Sequence, residues 1–225
     1  MADVLAQGLR VRGLECTRAG KRIFGGLDLD ASPGEVLQVR GANGSGKSSL
    51  LRMLCGLLPP SQGEMHWCGR RVRCGDAELA GDLAYMGHSG GMNGELTVLE
   101  NLRFSLDMAK EQTSQSRCLE VLAQLRLDAH AHQPARRLSQ GQRRRLSMAR
   151  VLLSKRALWL LDEPCAGLDA QGEDSVHASL TEHARSGGVA IVTTHRDLEL
   201  TSSCARTLDL DALEDADCHR PDHWS

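Results

Sequence analysis

The chain has 225 residues, 41% of them hydrophobic and 25% charged, which is enough apolar material for a sizeable core and excludes overall disorder. Its 27 Lys and Arg against 29 Asp and Glu leave a net charge of −2, too small for a global field that gathers nucleic acid or anionic lipid. No apolar run approaches the ~20 residues of a membrane span, and Met1–Gln7 has neither the basic start nor the apolar stretch of a secretory leader.

Strand and helix patterns alternate along the chain, which predicts an α/β architecture. Leu9–Cys16 and Arg22–Leu29 read as strands, and Pro33-Gly34 as a turn. Glu35–Arg40 is a short strand that runs into a glycine-rich loop. A helix is expected over Lys47–Leu57, stopped by Pro59-Pro60, with further strands at Glu64–Cys68 and Leu83–Gly87. Thr97-Val-Leu-Glu100 is a capping box that opens a helix to about Lys110. A second helix is expected over Ser114–Leu127, with Cys118, Leu122 and Leu125 on one face. Ser139-x-x-Gln142 is a second capping box, with a helix to about Leu153. The α/β pattern then resumes with a buried strand at Ala157–Leu161, a helix at Ala170–Ala184, and strands at Val189–Thr193 and Ala205–Leu210. From Asp209 the tail carries six acids against one arginine and is expected to fray, and no internal repeat is visible.

The expected organisation is one domain over 1–225. Residues 1–88 and 155–225 would form its core, with 89–154 inserted as a helical block and 211–225 as a loose tail. The eight cysteines form no C-x-x-C pair and precede no His-x(3–5)-His cluster, so most are expected to be small buried thiols. Cys218-His219 supplies two neighbouring ligands, too few for a metal site.

Gly41-Ala42-Asn43-Gly44-Ser45-Gly46-Lys47-Ser48 matches G-x-x-x-x-G-K-[ST] between a strand and a helix. Its glycines let backbone N–H groups converge on anionic oxygens, and the helix N-terminus adds a positive dipole. Lys47 would reach the β- and γ-phosphates of a nucleotide, and Ser48 would ligate Mg²⁺. An ordinary glycine-rich turn is the alternative. Leu158–Leu161 is an apolar strand that ends in Asp162-Glu163, two carboxylates where α/β sheets bind their ligands. Asp162 would hold the metal and Glu163 would polarise the attacking water. Two solvated acids at a strand end are the alternative.

Leu138-Ser139-Gln140-Gly141-Gln142 lies shortly before that strand. With it the sequence resembles the ABC (ATP-binding-cassette) ATPases, P-loop NTPases of α/β fold with an inserted helical subdomain and an N-terminal antiparallel β region. The resemblance runs from about Leu9 to Leu210, with Gln140 in place of the first glycine of L-S-G-G-Q. It implies ATP and Mg²⁺ as cofactors, and a homodimer in which Ser139, Gly141 and Gln142 of one chain meet the nucleotide in the cradle of the other. It also implies a D-loop at Ala166–Asp169 that communicates across the dimer. His195, after Thr194, would be the switch histidine at the γ-phosphate and a catalytic group beside Glu163.

Two positions depart from the family pattern. No aromatic stands where one would stack on adenine, and Arg18 is the candidate there, through its guanidinium plane. His88 stands where a glutamine usually links the nucleotide site to the transport subunit. The resemblance makes it a coupling hinge, and a packed structural histidine is the alternative. The segment Tyr85–Phe104, with its Gly-His, is similar to the haem-exporter ATP-binding subunits of cytochrome c maturation. That implies a haem-transporting type of ATPase, peripheral on the cytoplasmic face of a bacterial inner membrane. Its partner would be a membrane-embedded CcmB-type subunit, with CcmC- and CcmD-type subunits nearby. A cassette of a different transporter remains open. So does a soluble nucleic-acid-associated member, suggested by eight Arg or Lys between Arg136 and Arg156.

Overall fold

The computed structural model describes residues 8–87, 91–195, 198, 200 and 204–212. β1 (Leu9–Arg18) and β2 (Lys21–Ala31) pair antiparallel around Ala19-Gly20, whose φ angles of 49° and 77° suit a two-residue hairpin turn. β3 (Val36–Arg40) leads through the glycine-rich loop into α1 (Lys47–Leu54). That helix ends three residues before the expected Leu57, and the prolines do not stop it. Gly56 takes φ 73°, its N–H donates to Met53 O, and the Leu57 N–H donates to Arg52 O. This left-handed glycine cap satisfies the last carbonyls before Pro59 is reached.

β4 (Gln62–Trp67) pairs with β1, and β5 (Arg70–Val72) pairs with β4, to give an antiparallel sheet in the order β2-β1-β4-β5. The short α2 (Ala77–Asp82) follows, in a stretch where the sequence pattern gives no element. Its N-cap Asp76 accepts from the Glu78 and Leu79 N–H groups and from the Arg70 fork at 2.7 and 2.8 Å. Leu79 is its one buried residue, so no apolar period announces it.

β6 (Leu83–Met86) precedes three helices, α3 (Val98–Met108), α4 (Gln115–Gln124) and α5 (Gln140–Leu153). Both expected capping boxes form, at Thr97/Glu100 and at Ser139/Gln142. The expected face of α4 is in place, with Cys118, Leu122 and Leu125 all buried. β7 (Leu158–Asp162), α6 (Ala170–Arg185), β8 (Val189–Thr193) and β9 (Ala205–Asp209) complete a parallel sheet in the order β6-β7-β8-β3-β9.

The parallel sheet separates two apolar clusters, and strand alternation assigns residues to them. Leu158, Leu160, Val189, Ile191, Leu37 and Val39 join α1 and the antiparallel sheet on one side. Trp159, Leu161, Ala190, Val192 and Val36 join α3, α4, α5 and α6 on the other. The cysteines are less buried than expected. Among the seven described, Cys16 and Cys118 are buried, Cys74 is exposed and four are intermediate. Cys218-His219 lies outside the described residues.

Trp159 stacks on His183 with ring centroids 3.8 Å apart and 10° between the planes. The His183 Nε2 lies 3.2 Å from Val189 O, and a Cβ on Gly188 would meet the ring, so a side chain there would push the ring from this position. Burial pushes the His183 pKa below its ordinary value. The unfolded chain therefore takes up a proton below about pH 6.5 that the folded ring resists, and stability falls with pH through that range. Denaturant melts between pH 7.5 and 5.5 should show this loss and show it reduced in His183→Gln; an equal loss in the variant would assign it elsewhere.

Candidate active site

Three adjacent strand ends build the site. Val39 of β3 pairs with Thr193 of β8, and Thr193 pairs with Asp162 of β7, so the loop after β3 and the end of β7 flank one strand terminus. The loop at 41–46 turns on Gly41, Gly44 and Gly46, with φ of 150°, 90° and 97°. A Cβ on Gly46 would approach Phe24 of β2 to 2.7 Å, so the hairpin packs directly on the loop. Lys47 is 7% exposed, and its ammonium donates to Gly41 O and Ala42 O, both at 2.8 Å. The cation is thus held over the loop whose N–H groups would receive phosphate. Ser45 Oγ is buried there with no hydrogen-bond partner.

Ser48 Oγ donates to Asp162 Oδ1 at 3.2 Å, and Thr193 Oγ1 donates to the same oxygen at 2.7 Å. Asp162 is 2% exposed, and its other oxygen, Oδ2, has no hydrogen-bond partner. A buried, unpaired carboxylate oxygen beside a serine hydroxyl is a donor set that fits a hard divalent cation. Glu163 follows at φ 50°, the left-handed region that non-glycine residues avoid. Its N–H donates to Thr193 O at 3.1 Å and to Thr193 Oγ1 at 3.0 Å. Its carboxylate Oε1 lies 2.7 Å from His195 Nε2. Both expected catalytic side chains are therefore in contact. Burial pushes the thiol of Cys165, two residues on, up to about 12.

The remaining candidates fall into two groups. Ser139, Gly141 and Gln142 stand at the start of α5. Ser139 Oγ accepts from the Gln142 N–H at 3.2 Å, and the Gln142 side chain reaches His130 Nε2 at 2.8 Å. A Cβ on Gly141 would come within 2.6 Å of Gly167 O, so glycine lets this helix end meet the 166–169 loop. Asp169 caps α6 by accepting from Gly172 N–H at 3.1 Å. Arg18 is exposed at the tip of the β1–β2 hairpin, the hairpin that packs on Gly46. His88 lies outside the described residues.

Two site residues escape the sequence motifs. Asp211 belongs to the tail expected to fray, yet its carboxylate accepts the Ala42 N–H at 2.8 and 3.0 Å and ties down the start of the loop. Nothing local in sequence links positions 42 and 211. Arg144 sits in a run of three arginines and is 7% exposed; it is bonded to the carbonyls of Asp162 and Glu163. The basic segment around it is otherwise partly solvated: Arg136, Arg137, Arg143 and Lys155 are exposed, and of its cations Arg144 alone is buried. Arg136 pairs with Glu95, Arg143 donates to Arg136 O, Arg145 to Leu125 O, and Arg156 pairs with Glu111.

The family model described as ABC transporter matches residues 24–166. A protein of Cupriavidus necator named cytochrome c biogenesis ATP-binding export protein CcmA is 50% identical over 204 residues, 91% of this chain and 88% of its own length. A protein of the same name from Dechloromonas aromatica is 40% identical, across 90% of this chain and 99% of its own. Among solved structures, an ABC transporter ATP-binding protein from Pyrococcus furiosus superposes with a TM-score of 0.79 at 21% identity, covering 91% of this chain and 98% of that one. A dimeric bacterial ABC transporter cassette superposes with a TM-score of 0.77 at 22% identity, covering 90% and 94%.

Proposed function

Because this chain belongs to the ABC transporter ATPases, and among them to the CcmA family of cytochrome c biogenesis ATP-binding export proteins, we propose that it is the ATP-hydrolysing subunit of a transporter acting in c-type cytochrome biogenesis. The observation that carries this reading is the convergence, at the ends of three adjacent central strands, of Lys47, Ser48, Asp162 and the Glu163–His195 pair. ATP is the substrate. The loop 41–46 and the N-terminus of α1 receive its phosphates, and Lys47 exchanges the carbonyls of Gly41 and Ala42 for phosphate oxygens. Ser48 and Asp162 would hold Mg²⁺, which supplies charge neutralisation on the phosphates. Glu163 accepts the proton of the attacking water, and His195 orients that carboxylate and contacts the γ-phosphate. Cleavage of the β–γ bridge gives ADP and phosphate.

The chain holds one cradle and one signature segment, so the complete site belongs to a homodimer in which Ser139, Gly141 and Gln142 complete the partner's cradle. Arg18 would lie against adenine and Asp169 at the dimer seam. The block 89–154 acts as the signature-bearing subdomain on a core formed by 1–88 and 155–225.

Among the described residues no helix is long and apolar enough to cross a membrane; in this reading the translocation path belongs to another subunit. We place this chain on the cytoplasmic face of the inner membrane, against a CcmB-type subunit with CcmC- and CcmD-type subunits nearby. Phe104 and Met108 support a partner surface: they are 58% and 71% exposed and one turn apart on α3. A cleft of about 300 Å³, lined by Tyr85, Gly87, Gly91 and Ser105, lies beside that helix. Co-expression with the membrane subunit should give a complex whose ATPase exceeds that of the chain alone. His88→Ala should keep ATP binding and lose that stimulation, while His88→Gln keeps much of it. Absence of a complex would sink the partner assignment; full stimulation in a normally folded His88→Ala protein would sink the coupling role.

A further inference from the structure

Glu163, at φ 50°, occupies a left-handed backbone conformation that a non-glycine residue avoids and that persists only where its surroundings hold it. The holding contacts are unevenly distributed. On the N–H side, Thr193 accepts through its carbonyl and its hydroxyl. On the carbonyl side, Glu163 O receives the Ala166 N–H at 3.1 Å and the Arg144 guanidinium, through Nε at 2.8 Å and through a second nitrogen. The same guanidinium donates to Asp162 O at 2.5 Å. One planar fork thus clamps two consecutive peptide carbonyls, at the bend where the chain leaves β7. We infer that Arg144 is a positioning residue for hydrolysis, which fixes the Asp162–Glu163 backbone so that the Glu163 carboxylate keeps its aim.

The choice of side chain supports a positioning role. A buried guanidinium carries a desolvation penalty, and burial pushes the Arg144 pKa below its ordinary value. An apolar side chain would join α5 to the end of β7 without that penalty, but it would leave both carbonyls without these donors and the bend without its clamp. Lysine supplies a cation but not the planar fork that spans two acceptors.

The placement of Arg144 also ties two parts of the site together. It lies less than one helical turn beyond Gly141 and Gln142 on the capped α5, whose N-terminus meets Gly167. A shift of that helix end therefore moves the clamp on Glu163. In a dimer, nucleotide contacts made by the signature segment of a chain would reach the hydrolytic carboxylate of that same chain.

The inference rests on the ATPase reading above, and the test separates the two. Steady-state ATPase and equilibrium ATP binding are measured for wild type, Arg144→Lys and Arg144→Met, and for each change on a Glu163→Gln background. The expected result for Arg144→Met is a fall in kcat on the order of 10- to 100-fold, the scale of a small misplacement of a reacting group, with KM and ATP affinity at wild-type values. Arg144→Lys should recover part of the loss, and neither change should slow Glu163→Gln further. Wild-type kcat in a folded Arg144→Met protein overturns the inference, as does a rise in KM that accounts for the loss. If Arg144→Met does not fold, Arg144→Lys decides: a lowered kcat at unchanged KM supports the clamp, and a wild-type kcat overturns it. A wild-type protein that hydrolyses no ATP overturns the ATPase reading instead.

Discussion

Lys47→Ala is expected to lose most nucleotide binding. A charge-assisted hydrogen bond to a phosphate contributes about 1.5–3 kcal/mol, so losing it weakens ATP affinity roughly 10- to 150-fold. The substitution also leaves Gly41 O and Ala42 O without the ammonium that both now accept from. Two effects must therefore be separated, and they differ in what they need. Loss of stability shows in the melting temperature of the chain alone. Loss of phosphate recognition shows as weaker ATP binding at temperatures where the protein is still folded. Isothermal titration with ATP on protein verified as folded gives the answer, and wild-type affinity there would contradict the cradle assignment.

Glu163→Gln should bind ATP normally and hydrolyse it on the order of 10²–10⁴-fold more slowly, the range for loss of a general base. Glutamine keeps the size of the side chain and an oxygen that can accept from His195 Nε2, now 2.7 Å from the carboxylate. It cannot take a proton from water. The backbone contacts to Thr193 and Arg144 involve main-chain atoms of residue 163 and are unaffected by the exchange. The variant should accordingly melt near wild type and hold two chains together around unhydrolysed ATP. Hydrolysis at the parental rate would move the catalytic role to another residue.

Much of the site is legible in sequence because its chemistry depends on short fixed spacings. A loop that cradles phosphate would need its glycines and Lys47-Ser48 in sequence, and a metal-and-base pair such as Asp162 and Glu163 would need one buried strand to deliver both. Both capping boxes are visible for the same reason, since the two reciprocal bonds span three residues. What escapes the sequence is long-range or conformational. Asp211 meets Ala42 from the far end of the chain, across a sheet order in which β3 and β9 are neighbours. The left-handed φ of Glu163 has no glycine or asparagine to announce it. Arg144 looks like its neighbours Arg143 and Arg145, and only the packing of α5 on the end of β7 distinguishes it. The end of α1 is misjudged because Pro59-Pro60 is the more familiar stop signal, while Gly56 has already turned the chain.

Phosphate release from ATP, followed as a function of protein concentration for wild type and Glu163→Gln side by side, tests the central claim most directly. Wild type, alone or with its membrane subunit, should release phosphate only with Mg²⁺ present, and its activity per chain should rise with concentration as two chains complete each site. Glu163→Gln should release almost none. Equal release by the two proteins, or none by wild type under either condition, would contradict an ATPase built on Lys47, Asp162 and Glu163.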